Sequence, residues 1–254
     1  MENTAQARQS SVERIPLAKW ESFATMDGPG TRCVAFTCGC PLRCVYCHNP
    51  ETQTGEHCRM QLSPQEIVDK VRRLKPYFGD QGGLTWSGGE PLLHARAITQ
   101  CVPLLKQIGV GYWLDTSGAV VLTQEVQDAI CQAEGVILDL KMPTPEWYQR
   151  YCQTDMALVM QFAHYLTLHR IPTWIRTVIV PGINDTSECI RAYAMLVKDM
   201  ANVVKYELLG FHTMGFSKYE QLGMRNPLNG TPAMDAVRLG RLQQELDQYR
   251  EGDR

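Results

Sequence analysis

Apolar and polar positions along the chain follow two periods in alternation, and that alternation predicts six strand–helix units. The first β-rich run, over 30–38, leaves the turn Asp27-Gly28-Pro29-Gly30 and carries Cys33-Val34-Ala35-Phe36-Thr37. Ser63-Pro64-Gln65-Glu66 has the form of a helix start: a serine cap, proline at the first helical position and glutamate at the third. Ile67, Val68, Val71 and Leu74 then give that helix one apolar face. A second strand over 83–86 ends in Ser87-Gly88-Gly89-Glu90-Pro91, and a helix over 95–108 leads to a third strand over 112–114. That strand ends in Asp115-Thr116-Ser117-Gly118, and Thr123 caps the helix that follows. The fourth strand, over 136–138, ends in Asp139-Leu140-Lys141, and two helical stretches come next, the second over 155–169. The fifth strand, over 173–180, stops at Pro181-Gly182. A helix over 187–200 leads to the sixth, over 203–209, which runs into Gly210-Phe211-His212, and Thr231-Pro232 opens a last helix reaching Tyr249.

Strands alternating with helices at this pitch imply a parallel sheet with helical crossovers. Short, largely apolar strands suit burial on both faces. Six units predict an α/β fold in the form of a partial (β/α)6 TIM-type barrel. One domain is expected over 20–254, with 1–19 as a mobile N-terminal extension too polar to be a signal peptide. A single α/β barrel accommodates 254 residues, and a hydrophobic share of 44% supplies its core. The net charge of −2 lacks the basic excess of a nucleic-acid binder, so no nucleic-acid partner is expected. No apolar run approaches the ~18 residues of a membrane span, so no membrane association is expected. Ten cysteines in a chain of this size do not form a disulfide framework, and a reducing cytoplasm is the expected compartment. Cys101, Cys131, Cys152 and Cys189, each alone on an apolar face, read as small core residues.

The chemistry concentrates in Cys40-Pro41-Leu42-Arg43-Cys44-Val45-Tyr46-Cys47-His48-Asn49. Thiolates normally cap every iron of a 4Fe–4S cube, so three cysteines leave one iron open. A structural zinc is the bland alternative, with Cys38, Cys58, His48 or His57 as fourth ligand, but the spacing is awkward and no second C-x2-C step follows. The remaining polar motifs sit at strand ends: Ser87 to Glu90, Asp115-Thr116, Asp139 to Lys141, and His212, with Arg176 inside the fifth strand. In a parallel barrel those ends form the rim where sites are built. Gly88 and Gly89 permit close backbone approach, with Glu90 beside the ammonium of an amino-acid ligand or the pair acting only as a tight turn. Asp115 and Asp139 would repel unless Lys141 or a metal cation lay between them. Arg176 needs an anion, either a cofactor carboxylate or a structural partner. His212 is placed to meet an adenine or ribose, or else is a satisfied core residue.

The run C-x3-C-x-Φ-C, with Tyr46 as the aromatic Φ, resembles the signature of the radical S-adenosylmethionine (SAM) enzymes. Seven stretches in order resemble the glycyl-radical-enzyme activases, most closely the pyruvate formate-lyase type: 27–32, the cysteine loop with His48-Asn49, 87–91, 115–118, 139–141, 174–182 and 207–212. The resemblance implies a 4Fe–4S cluster on Cys40, Cys44 and Cys47, with S-adenosyl-L-methionine on the open iron. It implies a SAM pocket of Tyr46, Cys47, His48, Gly88, Gly89, Glu90, Asp139, Leu140, Lys141, Arg176, Val178 and His212. It also implies a monovalent cation, Na or K, on Asp115, Thr116 and Asp139. The reaction implied is reductive cleavage of SAM to a 5′-deoxyadenosyl radical, which takes a hydrogen from a glycine of a partner glycyl radical enzyme. A flavodoxin-type electron donor and a monomeric state come with the resemblance. Cys38 stands where glutamine is expected, Thr31 for isoleucine, and Gly210-Phe211 for Pro-Tyr; these leave the partner less defined than the chemistry. Only Cys58 lies between the cluster loop and Ser87, so no auxiliary cluster is expected. The alternatives are an activase of another glycyl radical enzyme, a radical SAM enzyme acting on a small molecule, and a zinc-stabilised binding protein.

Overall fold

The computed structural model describes residues 13–252. In chain order the elements are β1 (Ile15–Ala24), β2 (Arg32–Thr37), β3 (Met60–Leu62), α1 (Pro64–Leu74), β4 (Gly83–Gly88), α2 (Ala95–Gln107), β5 (Tyr112–Thr116) and α3 (Gln124–Cys131). They continue with β6 (Gly135–Asp139), α4 (Pro145–Cys152), α5 (Met156–Leu168), β7 (Thr173–Ile179), α6 (Ser187–Val197), β8 (Val203–Gly210), α7 (Phe216–Gln221) and α8 (Ala236–Gly252). Side chains start most of these helices. Ser63 and Glu66 form a reciprocal cap on α1, while Thr123, Thr144, Asp155 and Thr186 accept from backbone N–H groups at the starts of α3, α4, α5 and α6.

The strands form one eight-stranded sheet in the order β3-β1-β2-β4-β5-β6-β7-β8. β2 and β4 to β8 are the six parallel strands of the predicted units, and β3 and β8 remain unjoined edges, so the barrel is partial. Two antiparallel strands, β1 and β3, were not expected. Of the predicted mobile extension, residues 1–12 lie outside the described residues, whereas Ile15 to Lys19 begin β1 between β2 and β3. The extension looked polar because an antiparallel strand of this kind needs apolar residues on only one face; here Ile15 and Leu17 are fully buried. The last helix begins at 236, not 231. Asp235 supplies its cap by accepting from Arg238 N at 2.8 Å, while Met234 N donates to Phe211 O and holds the preceding segment against the end of β8. Cys101, Cys152 and Cys189 are buried as expected, but Cys131 is exposed, because the short α3 ends there.

Inside the curved sheet, side chains stack in layers. Trp113 and Trp174 meet with ring centroids 5.2 Å apart, and Lys205 lies 4.6 Å from the Trp174 ring. Gly135 is the strand partner of Trp113, and a Cβ there would come within 2.6 Å of the indole, so glycine makes room for this floor. Two residues further along the same faces stand Asp115 and Arg176, with Asp139 beside Arg176 in register. An apolar floor therefore carries a charged layer directly above it.

Candidate active site: a cysteine-lined cavity at the strand ends

A cavity of about 520 Å³ opens at the carboxyl ends of the parallel strands, where α/β barrels build their sites. It falls within the size range of small-molecule sites. Cys40, Cys44, Tyr46, Cys47, His48, Gly88, Gly89, Asp115, Thr116, Asp139, Lys141, Arg176, Val178 and His212 all line it. Glu90 and Leu140 do not.

The cysteine loop is held from three sides. Arg43 N and Val45 N donate to Cys152 O and Tyr151 O at the end of α4, each at 2.9 Å. Gly39 N and Cys40 N donate to Thr52 O and Gln53 O at 2.8 and 3.3 Å. From the far end of the chain, Lys218 Nζ on α7 donates to His48 O at 2.9 Å, and to Asn49 Oδ1 and Glu51 Oε1 at 2.8 Å. Tyr219 Oη adds a bond to Cys47 O at 2.9 Å. Burial pushes the Cys40 thiol up to about 12, with Glu90 adding to it, and burial likewise raises Cys47. Such thiols keep their protons until a metal displaces them. Three free thiols around one cavity are the donor set of an open iron–sulfur cluster. Cys38 and Cys58, weighed above as zinc ligands, are joined in a disulfide and give a zinc ion nothing to bind. Among the described residues, no three His, Cys, Asp or Glu side chains gather around a single-ion site.

Above the tryptophan floor the charges interlock. Arg176 Nη2 donates to Asp115 Oδ1 at 2.5 Å and its Nε to Asp139 Oδ1 at 3.4 Å. Lys141 Nζ donates to Asp139 Oδ2 at 3.0 Å, and Ser87 Oγ to Asp115 Oδ2 at 2.6 Å. The positive charge between the two aspartates is thus the Arg176 guanidinium, with Lys141 on the outer side. Burial works against ionisation of Asp139, but Lys141 and Arg176 outweigh it and hold the carboxyl below its ordinary value. Burial also opposes the charge on Arg176, yet Asp115 and Asp139 keep its pKa above the usual range. Asp27, from the loop before β2, is pushed up to about 6 by burial and by Asp115, against the pull of Arg176.

Glu90 differs from expectation. Its fully buried carboxylate faces the protein, accepting from Leu92 N, Thr116 Oγ1, Ser117 N and Ser117 Oγ. It braces the turn after β5 and offers nothing to a ligand's ammonium group. Leu140 is also buried; its N–H donates to Arg176 O and its carbonyl accepts from Thr177 Oγ1. Gly88 has φ +107°, and a Cβ on Gly89 would strike Gly39 O. The close approach that calls for glycine is therefore made by the chain's own backbone, with Gly89 N bonded to Thr37 O at 2.9 Å and Glu90 N to Gly39 O at 2.7 Å.

His48 and His212 meet edge to face with centroids 4.6 Å apart. Burial, then Lys218 and His212, lower His48 to about 4, so its ring is neutral. His212 Nδ1 is buried without a hydrogen-bond partner, which leaves it available to a ligand with a polar edge. Sequence reasoning missed five supports: Lys218, Tyr219, Cys152, Tyr148 and Tyr193. Tyr148 Oη accepts from Lys141 N at 2.8 Å, and the hydroxyls of Tyr193 and Tyr46 donate to Lys141 O at 3.1 and 3.3 Å. The tyrosines lie on helical apolar faces and carried no separate signal, whereas Lys218 and Tyr219 sit in a stretch whose glycines and prolines read as loop.

Comparison with known proteins places this geometry. The model of the radical SAM superfamily matches residues 34–193. The pyruvate formate-lyase-activating enzyme of Clostridium pasteurianum is 36% identical over 91% of this chain and 96% of its own length. That of Streptococcus mutans is 33% identical over 91% of each. In structure, a domain of the pyruvate-formate lyase-activating enzyme of Bacteroides vulgatus aligns with a TM-score of 0.54 at 20% identity, covering 66% of this chain and 94% of that one. Streptococcus suis SuiB bound to its precursor peptide aligns with a TM-score of 0.66 at 13% identity, covering 86% of this chain and 45% of SuiB. These last two bear on the fold alone. Three thiols at the mouth of a partial barrel, a superfamily match across that barrel, and relatives aligned nearly end to end together establish that the chain belongs to the radical SAM superfamily.

Proposed function

We propose that the chain activates pyruvate formate-lyase by abstracting a hydrogen atom from a glycine α-carbon of that enzyme. A 4Fe–4S cluster on Cys40, Cys44 and Cys47 would supply the electron that cleaves SAM into methionine and a 5′-deoxyadenosyl radical. The observation that carries the reading is the gathering of these three thiols on one cavity, with no fourth cysteine among its lining residues. The chain's own part is binding, orientation and electrostatics. Gly88 and Gly89 bring backbone to the cavity wall, and Lys141 and Arg176 provide positive charge for a carboxylate. The neutral His48 ring and the unpartnered Nδ1 of His212 beside it suit an adenine edge. A Na or K ion beside the cofactor carboxylate would share Asp115 and Asp139 with Arg176. The unjoined edges β3 and β8 leave the barrel open on one side, which suits entry of a glycine-bearing loop. A flavodoxin-type donor, a cytoplasmic setting and a monomeric chain belong to the same proposal.

The test is anaerobic. The iron-reconstituted protein is reduced with SAM, and methionine and 5′-deoxyadenosine are quantified. Cys40→Ala, Cys44→Ala and Cys47→Ala should each abolish both products, while Cys131→Ala should leave them unchanged. Full turnover in any of the first three, or a colourless zinc protein, would sink the proposal.

A further inference from the structure

We propose that Cys38 and Cys58 form a reversible thiol–disulfide site, opened by a small anionic thiol that attacks Cys58 from a second cavity, and that its state governs how firmly the cysteine loop is held. The pair is separated by 20 positions, with Cα atoms 6.1 Å apart, and Cys40, Cys44 and Cys47 all lie inside the loop it closes. In a reducing compartment such pairs are transient and serve as redox sensors. Cys38 stands where the resemblance leads one to expect glutamine, so the pair is not part of that family pattern. The two sulfurs differ in access. Cys38, just after β2, is buried, whereas Cys58 is half-buried and lines a second cavity of about 390 Å³. Lys19 and Lys218 line both cavities, so the two adjoin. Lys19, Arg59 and Lys218 outnumber Glu51 and Glu56 on the walls of the second, which favours an anionic thiol of the glutathione kind.

The exchange balances in two steps. The attacking thiolate bonds to Cys58 Sγ, giving a mixed disulfide, and the Cys38 sulfur leaves and takes up a proton. A second thiolate attacks the sulfur of the first, which restores the Cys58 thiol and yields the external disulfide. Two electrons pass to the pair, and the external disulfide closes it again by the reverse path. The loop responds because residues 38–40 are clamped to the returning segment at three points. These are the disulfide itself, Gly39 N to Thr52 O at 2.8 Å, and Cys40 N to Gln53 O at 3.3 Å. Opening leaves two hydrogen bonds, one of them long. Thr52 and Gln53 also line the first cavity, so the clamp supports its wall. That link to a cluster rests on the proposed function above; the thiol chemistry does not.

The iron-free chain is equilibrated anaerobically in buffers of graded reduced-to-oxidised glutathione ratio, quenched with acid, alkylated and mapped by peptide mass. Cys38 and Cys58 should open and close together and reversibly, and glutathione caught during opening should sit on Cys58. A pair that never closes, or glutathione caught equally on Cys38, overturns the proposal. Hydrogen exchange reads the loop. The amides of Gly39 and Cys40 should exchange roughly tenfold faster in the opened form than in the closed one. Equal rates in the two forms refute control of the loop. Cys58→Ser, at a half-buried position outside the proposed cluster, should show the faster rate in every buffer. A rate in that variant that still followed the buffer would assign the effect to other cysteines and overturn the proposal. None of these readouts needs iron, so a chain that fails to bind it sinks the cluster reading and leaves this one to stand on its own results.

Discussion

Replacing Glu90 by glutamine separates a structural brace from a ligand contact. Each carboxylate oxygen accepts from one backbone N–H and one hydroxyl: Oε1 from Leu92 N at 3.2 Å and Thr116 Oγ1 at 2.7 Å, Oε2 from Ser117 N at 3.0 Å and Ser117 Oγ at 2.6 Å. Hydroxyls can rotate; backbone amides cannot. Whichever way the glutamine turns, its NH₂ faces a backbone N–H. One buried donor then goes unpaired, at about 1–3 kcal/mol, and the remaining bonds lose their charge assistance. Burial raises the Glu90 pKa, so removing the charge returns part of that loss. The net expectation is about 2–3 kcal/mol of destabilisation, or roughly 4–12 °C in Tm for a chain of this length. The assay is denaturant unfolding of parent and Glu90→Gln in iron-free, reduced form, paired with SAM binding to the reconstituted proteins. A variant within about 0.5 kcal/mol of the parent that has lost SAM affinity would refute this account. Glu90 would then stand at the ligand's ammonium group, as the sequence alone suggested.

Arg176→Met leaves Asp115 and Asp139 facing each other with only Lys141 nearby, and should cost about 3 kcal/mol in denaturant unfolding. Adding Asp115→Asn should restore part of that stability, and a fully additive double variant would contradict the ion-pair reading. Lys218→Met frees the three oxygens it holds, so the amides of Cys47, His48, Asn49 and Glu51 should exchange hydrogen faster while global stability changes little; unchanged exchange would show that α7 does not restrain the loop. Asp27 holds its proton up to about pH 6 in the folded chain, against an ordinary 3.8. The folded state therefore binds that proton more tightly, and stability should fall as pH rises through this window. Asp27→Asn should flatten the fall, measured by unfolding at a series of pH values, and an unaltered slope would assign it to other groups.

The parallel half of the fold was legible because most of its strands are short, mainly apolar runs closed by polar residues. β7, with Arg176 inside it, was still read as a strand from Trp174, Ile175 and Val178. β1 was missed because its alternation serves one face only, and its charged positions Lys19 and Glu21 dominated the composition. The site residues could be placed at the rim because polar groups at successive strand ends share that location. Their partners could not. Glu90 reads the same whether it turns outward to a ligand or inward to Ser117, since one torsion decides it. Tyr148, Tyr193 and Cys152 occupy helix positions where apolar packing and hydrogen bonding leave the same pattern. Contacts between residues as distant in sequence as Lys218 and His48 have no local signature.

Transfer of hydrogen from a glycine α-carbon is the central claim, and isotope transfer tests it most directly. Pyruvate formate-lyase carrying α-deuterated glycine is mixed anaerobically with the reconstituted, reduced protein and SAM. The account predicts a glycyl radical on the partner by electron paramagnetic resonance, together with one deuterium in each 5′-deoxyadenosine formed. Unlabelled 5′-deoxyadenosine and no partner radical would contradict it.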